Sequence, residues 1–486
     1  MSGEFAARLG RGTLGRRAVT LVAVALGLLL VAGGGSLLRG QSAAVEPPRV
    51  ASVGRTTSVC TVATASGSRT DVAVVSIGSD QGRPGRLTAE SVKGKKTSLD
   101  IRDLGKGRTL QQRSSSVILQ AEGSMTAAST GVVLGTATSG IEAGLMAAPC
   151  LAPSTTHWFS GVGADKADQT ELILTNPDEA QAEVDLRFYG RRGRVAVPGS
   201  PGITVPGRSS RMVSLSSLVQ TQGPLSLAIR ASAGRVAAVA KELQTDRLEP
   251  DGADYQLASA TPSTTVVIPS LPDGDGGRRL VVTNPGTVRA SVTVEVLGLQ
   301  GAYAPVGAES VELAPESSAD LDLTTGLAGE FGAVKLSSDQ PVTGSVISSS
   351  RRSGAQGDIA IQSAAVPLVG SGVSAVATTD VADTNLILSN GTEADTQVSF
   401  EVFSYEGVLL RQDEVFLSAN STATRRLNSP APSYVVVKVP PGSGIYGGVV
   451  LAQPEGSVAG LATSPLTSPD VASRAPDVVA DSGVGR

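Results

Sequence analysis

The 486-residue sequence has one histidine, two cysteines and one tryptophan, and aromatic residues make up only 3% of it. One imidazole excludes a multi-histidine metal site. Two cysteines exclude a zinc ribbon, an iron–sulfur cluster and a disulfide-dense scaffold. Few rings leave little for the aromatic platforms on which sugars stack. Charged residues are 17% of the chain and the net charge is −4, so there is no electrostatic footprint for nucleic acid. No G-x-S-x-G elbow and no phosphate-binding glycine motif occurs in a strand–turn–helix context. The inventory predicts no catalytic residues, no metal and no cofactor, and therefore no enzyme.

What is present begins at the N-terminus. Arg8, Arg11, Arg16 and Arg17 precede a charge-free stretch from Ala18 to Leu38, which ends at Arg39. A helix of this length spans roughly the 30 Å hydrocarbon core. The basic flank predicts N-terminus inside and body outside, a single-pass membrane protein with an extracytoplasmic C-terminal region. The alternative is a signal peptide cleaved near Ser42 and Ala44, which would make the protein secreted. Either reading exports the body to an oxidising compartment. There Cys60 and Cys150 pair in one bridge or stay as two inert thiols.

The body repeats. Leu172–Pro177, Leu280–Pro285 and Leu386–Gly391 read alike, anchored on Asn176, Asn284 and Asn390 at spacings of 108 and 106 residues. Val184, Leu186 and Phe188 follow the first asparagine, Val292, Val294 and Val296 the second, and Val398, Phe400 and Val402 the third, all in one register. Polar residues alternate with them, the period of a half-buried antiparallel strand. Gly193, Gly301 and Gly407 sit seventeen residues after the asparagines, where a hairpin turn is expected. Further on, the third copy is two residues shorter.

About seven short strands per hundred residues predict an all-β chain of tandem Ig-like β-sandwich repeats following the N-terminal transmembrane helix or signal segment. The predicted divisions are a basic N-region (1–17), the apolar segment (18–38), a linker (39–55), a degenerate β domain (56–150), three repeats (151–262, 263–367 and 368–465) and a disordered tail (466–486). The Cys60–Cys150 bridge would staple the weak first domain. The repeats would form a rod or curl into a propeller-like closed array.

The strings His157–Gly161, Glu171–Pro177, Val184–Gly193 and Ile203–Gly207 resemble the actinobacterial family of unknown function DUF5719. So do Val266–Leu271, leading into Arg279–Pro285, and Pro341–Gly344. The resemblance covers about residues 55–465, and the third copy departs with Gly391 in place of proline. It implies an exported, anchored β-repeat protein of the cell envelope, of a family often beside envelope-glycan glycosyltransferases and with no established activity to carry over.

The remaining candidates are weak in pattern. His157 and Trp158 adjoin at the start of the first repeat, as a base, a sugar-stacking pair or simply an edge strand. Tyr189 and Tyr405 lie near hairpins and are expected to be exposed. These four are the candidate ligand-binding residues. Asp273-Gly-Asp275-Gly276 offers oxygens to calcium but lacks the distal bidentate glutamate, and Asp380 and Asp383 offer less. Lys93, Lys95, Lys96, Arg102, Lys106 and Arg108 form a basic stretch, a contact for anionic polymers or a solvated loop. Expected partners are the membrane, through the N-terminal helix, and envelope proteins or glycans. The favoured reading is a scaffold or interaction protein, and the alternative is a glycan binder.

Overall fold

The computed structural model describes residues 50–474, apart from 53, 63–68, 79–83, 95, 113–114, 199–201, 220–222, 247–248, 454 and 470–471. The basic N-region and the apolar segment lie outside the described residues. Among those described, no helix is long and apolar enough to cross a membrane. Contacts divide the chain into two compact units. In the smaller, Val50–Ser52 pairs antiparallel with Ala472–Arg474. These strands fall in stretches read from sequence as linker and tail. The larger unit runs from Val53 to Val471.

The larger unit is almost all strand, and it is built from one plan used four times. In the N-terminal block the eight strands are Arg55–Cys60, Arg69–Ser76, Gly85–Ser91, Lys96–Ile101, Gly107–Gln112, Val117–Gly123, Ser129–Ala137 and Gly144–Pro149. The first, sixth, third and fourth make one sheet, and the fifth, second, seventh and eighth make the other. The third repeat has the same two sheets in the same order. The first repeat splits its fourth strand into Gly193–Val195 and Ile203–Val205. The second splits its own into Gly301–Tyr303 and Ser310–Leu313, and fuses its sixth and seventh strands into Gly332–Ser350, which crosses from one sheet to the other.

The alternating residues fill the sandwiches. Val292, Val294 and Val296 are fully buried, as are Val184 and Phe400. Each such side chain contributes roughly 1.5–3 kcal/mol of burial. The anchor asparagines explain the repeat. The Asn176 amide donates to the Ala180 and Val205 carbonyls at 2.7 and 3.1 Å, while its Oδ1 accepts from the Asp178 amide. Asn284 and Asn390 make corresponding bonds in their copies, with the second carbonyl one residue further on, at Ala314 and Ser418. One side chain thus closes the turn after the second strand and ties it to the loop before the fifth. In the N-terminal block Ser76 stands at the end of the second strand, and its hydroxyl bonds the Asp103 and Lys106 carbonyls. The three glycines seventeen residues on have φ of 121°, 130° and 79°, a left-handed turn that a Cβ would strain.

The four blocks close into a ring. The first sheet of each lies on the second sheet of the next. Ser160 of the first repeat meets Thr283 of the second, and Thr422 of the third bonds the Leu297 carbonyl of the second. The third repeat returns to the N-terminal block through Thr467–Thr130 and through the Gly107 amide on the Tyr405 carbonyl. Arg208 of the first repeat meets Glu90 of the N-terminal block at 2.6 Å. Of the two arrangements left open by the sequence, this is the closed array. The Cys60–Cys150 bridge is formed and ties the end of the first strand to the residue after the eighth.

Candidate functional site at the ring axis

The eighth strand of each block was not distinguished in the sequence, and these four strands line the axis. They are Gly144–Pro149, Glu249–Leu257, Asp358–Ser363 and Leu461–Pro465, and each touches its neighbours around the ring. All four are edge strands, so each turns unpaired amides inward. Asp358 answers them. Its fully buried carboxylate accepts the amides of Leu145 (2.8 Å), Ala253 (3.3 Å), Ile359 (2.9 Å) and Leu461 (2.8 Å), one from each block. Asp254, also fully buried, accepts the amides of Ala147 and Ile361. Burial pushes both carboxyls well above the carboxylate range, and the donated amides pull the other way. A Cβ on Gly144 would lie 2.3 Å from the Asp358 carboxylate, so the approach needs glycine. The chemistry here is spent on structure.

The other end of the axial strands is different. There a recess of about 260 Å³ opens among residues of all four blocks, including Pro149, Leu151, Leu257, Ile361, Pro465 and Leu466. Its lining has no charged side chain and no aromatic ring. Its polar groups are largely engaged: Ser259 with the Gly344 carbonyl, Ser363 with the Leu257 carbonyl, and Thr467 with Thr130. Ser270 is the exception. It is 4% exposed, its hydroxyl has no partner, and its backbone is held at φ 63°. The matching position of the first repeat is Gly161, at φ 83° in the same kind of bulge. A non-glycine residue kept in this conformation costs of order 1–3 kcal/mol.

The sequence-derived candidates lie elsewhere. His157 is buried, its Nε2 donating to the Val236 carbonyl at 3.0 Å, and burial pushes the imidazole below its ordinary value. Trp158 is half-buried, with its ring centroid 6.1 Å from that of Tyr189. Tyr189 is buried, not exposed as expected, because the second repeat covers it: Ser318 bonds its carbonyl. Tyr405 is half-buried where the third repeat meets the N-terminal block, and burial pushes its phenol up. Thus His157, Trp158 and Tyr189 share the first repeat, and Tyr405 is apart from them. None of the four lines the axial recess.

The Asp273–Gly276 loop holds a protein cation. The buried Arg278 guanidinium donates to the carbonyls of Pro272, Asp273, Gly274, Gly276, Gly277 and Ser349. Asp383 bonds Arg426 and Asn428. In the basic stretch, Arg102 pairs with Asp100, and Lys106 and Arg108 with Glu406 of the third repeat. Among the described residues, no group of three or more His, Cys, Asp or Glu could hold a metal.

A family model for a family of unknown function, DUF5719, matches residues 107–428. The chain belongs to DUF5719. The matched stretch is shorter than the likeness read from sequence. It opens at the fifth strand of the N-terminal block and closes after the fifth strand of the third repeat. Within the larger unit, what DUF5719 leaves uncovered lies in two blocks that are neighbours across the ring closure. No curated protein matches the chain. Among solved structures, the chain is similar to the Streptomyces avermitilis alpha-L-rhamnosidase complexed with L-rhamnose, at 9% identity and a TM-score of 0.14. The comparison covers 84% of this chain and 55% of that one, so the chain spans about half the enzyme's length. At that TM-score the likeness bears on neither fold nor activity.

The axial residues escaped sequence reading for a physical reason. Asp358 is unique to one copy, and Gly252 stands 106 residues before it. Only Val266–Leu271, which contains Ser270, had been singled out, as part of the family likeness.

Proposed function

We propose that this chain is an exported, membrane-tethered, non-catalytic interaction protein of the cell envelope, and that it holds an uncharged, largely aliphatic group in the axial recess. The observation that carries the binding half is the recess itself: apolar walls from four blocks, with Ser270, whose buried hydroxyl has no partner, in the lining. Ligand sites commonly combine an apolar concavity with a few convergent polar groups. An apolar cavity of about 150 Å³ holds benzene, so this one suits an aliphatic chain of about eight carbons. The Ser270 hydroxyl would donate to a carbonyl at its head. The export half is supported by the charge-free segment after four arginines and by the formed disulfide. With no ring in the recess wall, the aliphatic reading has better support than sugar stacking.

The test is native mass spectrometry of the full chain with 1-octanoylglycerol, an uncharged acyl ester. One bound molecule per chain is expected, lost in Ala364→Trp, which fills the recess. Binding that survives Ala364→Trp would overturn the site, and hydrolysis of the ester by the unaltered chain would overturn the non-catalytic reading.

A further inference from the structure

The four blocks treat their outermost strand differently. In the first and second repeats the fourth position is broken into two short strands, with Pro198 and Pro305 in the respective connections. Broken, proline-bearing edges resist pairing with another chain. The third repeat has lost two residues here, and its fourth strand runs from Leu409 to Leu417 without a proline-bearing break, with one bulge at Leu410 near its start. It ends the order of its sheet, paired on one side with Thr396–Ser404. Val415 and Leu417 point into the core, whereas Leu410, Gln412, Glu414 and Phe416 face solvent. Phe416 is 61% and the adjoining Val408 59% exposed.

Which backbone groups face outward can be fixed. The Glu414 amide donates to the Asp413 carboxylate at 2.9 Å. By alternation, Gln412 and Glu414 present their backbone groups to the open edge; at Leu410 the ladder carries a bulge, since Val402 faces Arg411 and Phe403 faces Leu409.

We infer that this edge pairs antiparallel with the same strand of a second copy, about a dyad at Gln412. That register is self-complementary. Arg411 faces Asp413 of the other copy twice, the exposed Phe416 side chains lie on the open face near the ends of the paired segment, and the Gln412 residues form the central hydrogen-bonded pair. In the single chain Arg411 and Asp413 pair with each other at 3.1 Å, so pairing of two copies exchanges this contact for the same one made across the dyad. The alternative dyad at Asp413 would place two carboxylates directly opposite, which disfavours it. This surface is separate from the axial recess, so either can fail without the other.

The test uses a disulfide trap in the full chain, where Cys60 and Cys150 are already bonded to each other and no free cysteine is present among the described residues. Across the dyad the two Gln412 Cα atoms would be about 5.5 Å apart, within disulfide range. Gln412→Cys should crosslink under mild oxidation with a yield about tenfold above Glu414→Cys, whose partner lies four residues out of register. Sedimentation equilibrium of the unaltered chain should give a concentration-dependent two-chain mass that Phe416→Lys abolishes. A one-chain mass at every concentration, or equal crosslinking at both positions, would overturn the proposal.

Discussion

The two ends of the ring axis hold the same four strands in opposite chemical states. At the end where they begin, one carboxylate meets four amides, one from each block. At the end where they finish, the walls are apolar and a serine hydroxyl has no partner. Buried amides are costly to leave unmade, so the first end is where stability concentrates. A buried hydroxyl left without a partner does little for folding, and under the proposed function it serves a ligand. If the recess binds as proposed, the difference separates structure from function along one line through the molecule.

The most severe way to break that contrast is Asp358→Leu. Four amides would lose their acceptor at about 1–3 kcal/mol each. The expected loss is about 4 kcal/mol or more, read by chemical denaturation, with Asp358→Asn recovering part of it. If Asp358→Leu left the midpoint unchanged, the carboxylate would not be pinning the ring. Next comes the bridge at Cys150, beside the recess. Replacing both cysteines by serine should cost about 4–5 kcal/mol by the chain-entropy argument. Because Pro149 and Leu151 line the recess, ligand affinity should fall as well.

A third measurement isolates a buried group off the axis. Glu242 is held by Thr170, and burial pushes its carboxyl up to about 8. In the unfolded chain it titrates near its ordinary value, so between these values the folded state holds the extra proton. Its contribution to stability is therefore complete below the unfolded pKa and is lost as pH rises through about 8, at up to about 1.4 kcal/mol per unit. Glu242→Gln should flatten that slope in denaturation curves taken across this range. The smallest effect is expected at the recess: Ser270→Gly should relieve a strained backbone and raise stability by less than about 1 kcal/mol, while weakening octanoylglycerol binding. Tighter binding in that variant would remove the hydroxyl from the site.

The sandwiches were legible in the sequence because their causes recur. Asn176, Asn284 and Asn390 make the same bonds three times, and alternating Val, Leu and Phe fill the same face. The N-terminal block looked degenerate because Ser76 replaces asparagine with a shorter side chain that still reaches two carbonyls. The axis was not legible. Its strands meet partners about a hundred residues away or more in the chain, and Asp358 has no counterpart to align. Tyr189 was misread for a related reason: a hairpin near the end of one block is open to solvent only until the next block covers it.

A carboxylate shared among four blocks also constrains how the chain can change its length. Four identical copies could not each supply such a residue, since four like charges would then converge on one line. The ring therefore needs one block that differs from the rest, and the other three must yield space to it, as Gly144 and Gly252 do. Adding or deleting a single block would leave the acceptor with the wrong number of donors. In this architecture the count of repeats is set by the valence of one side chain.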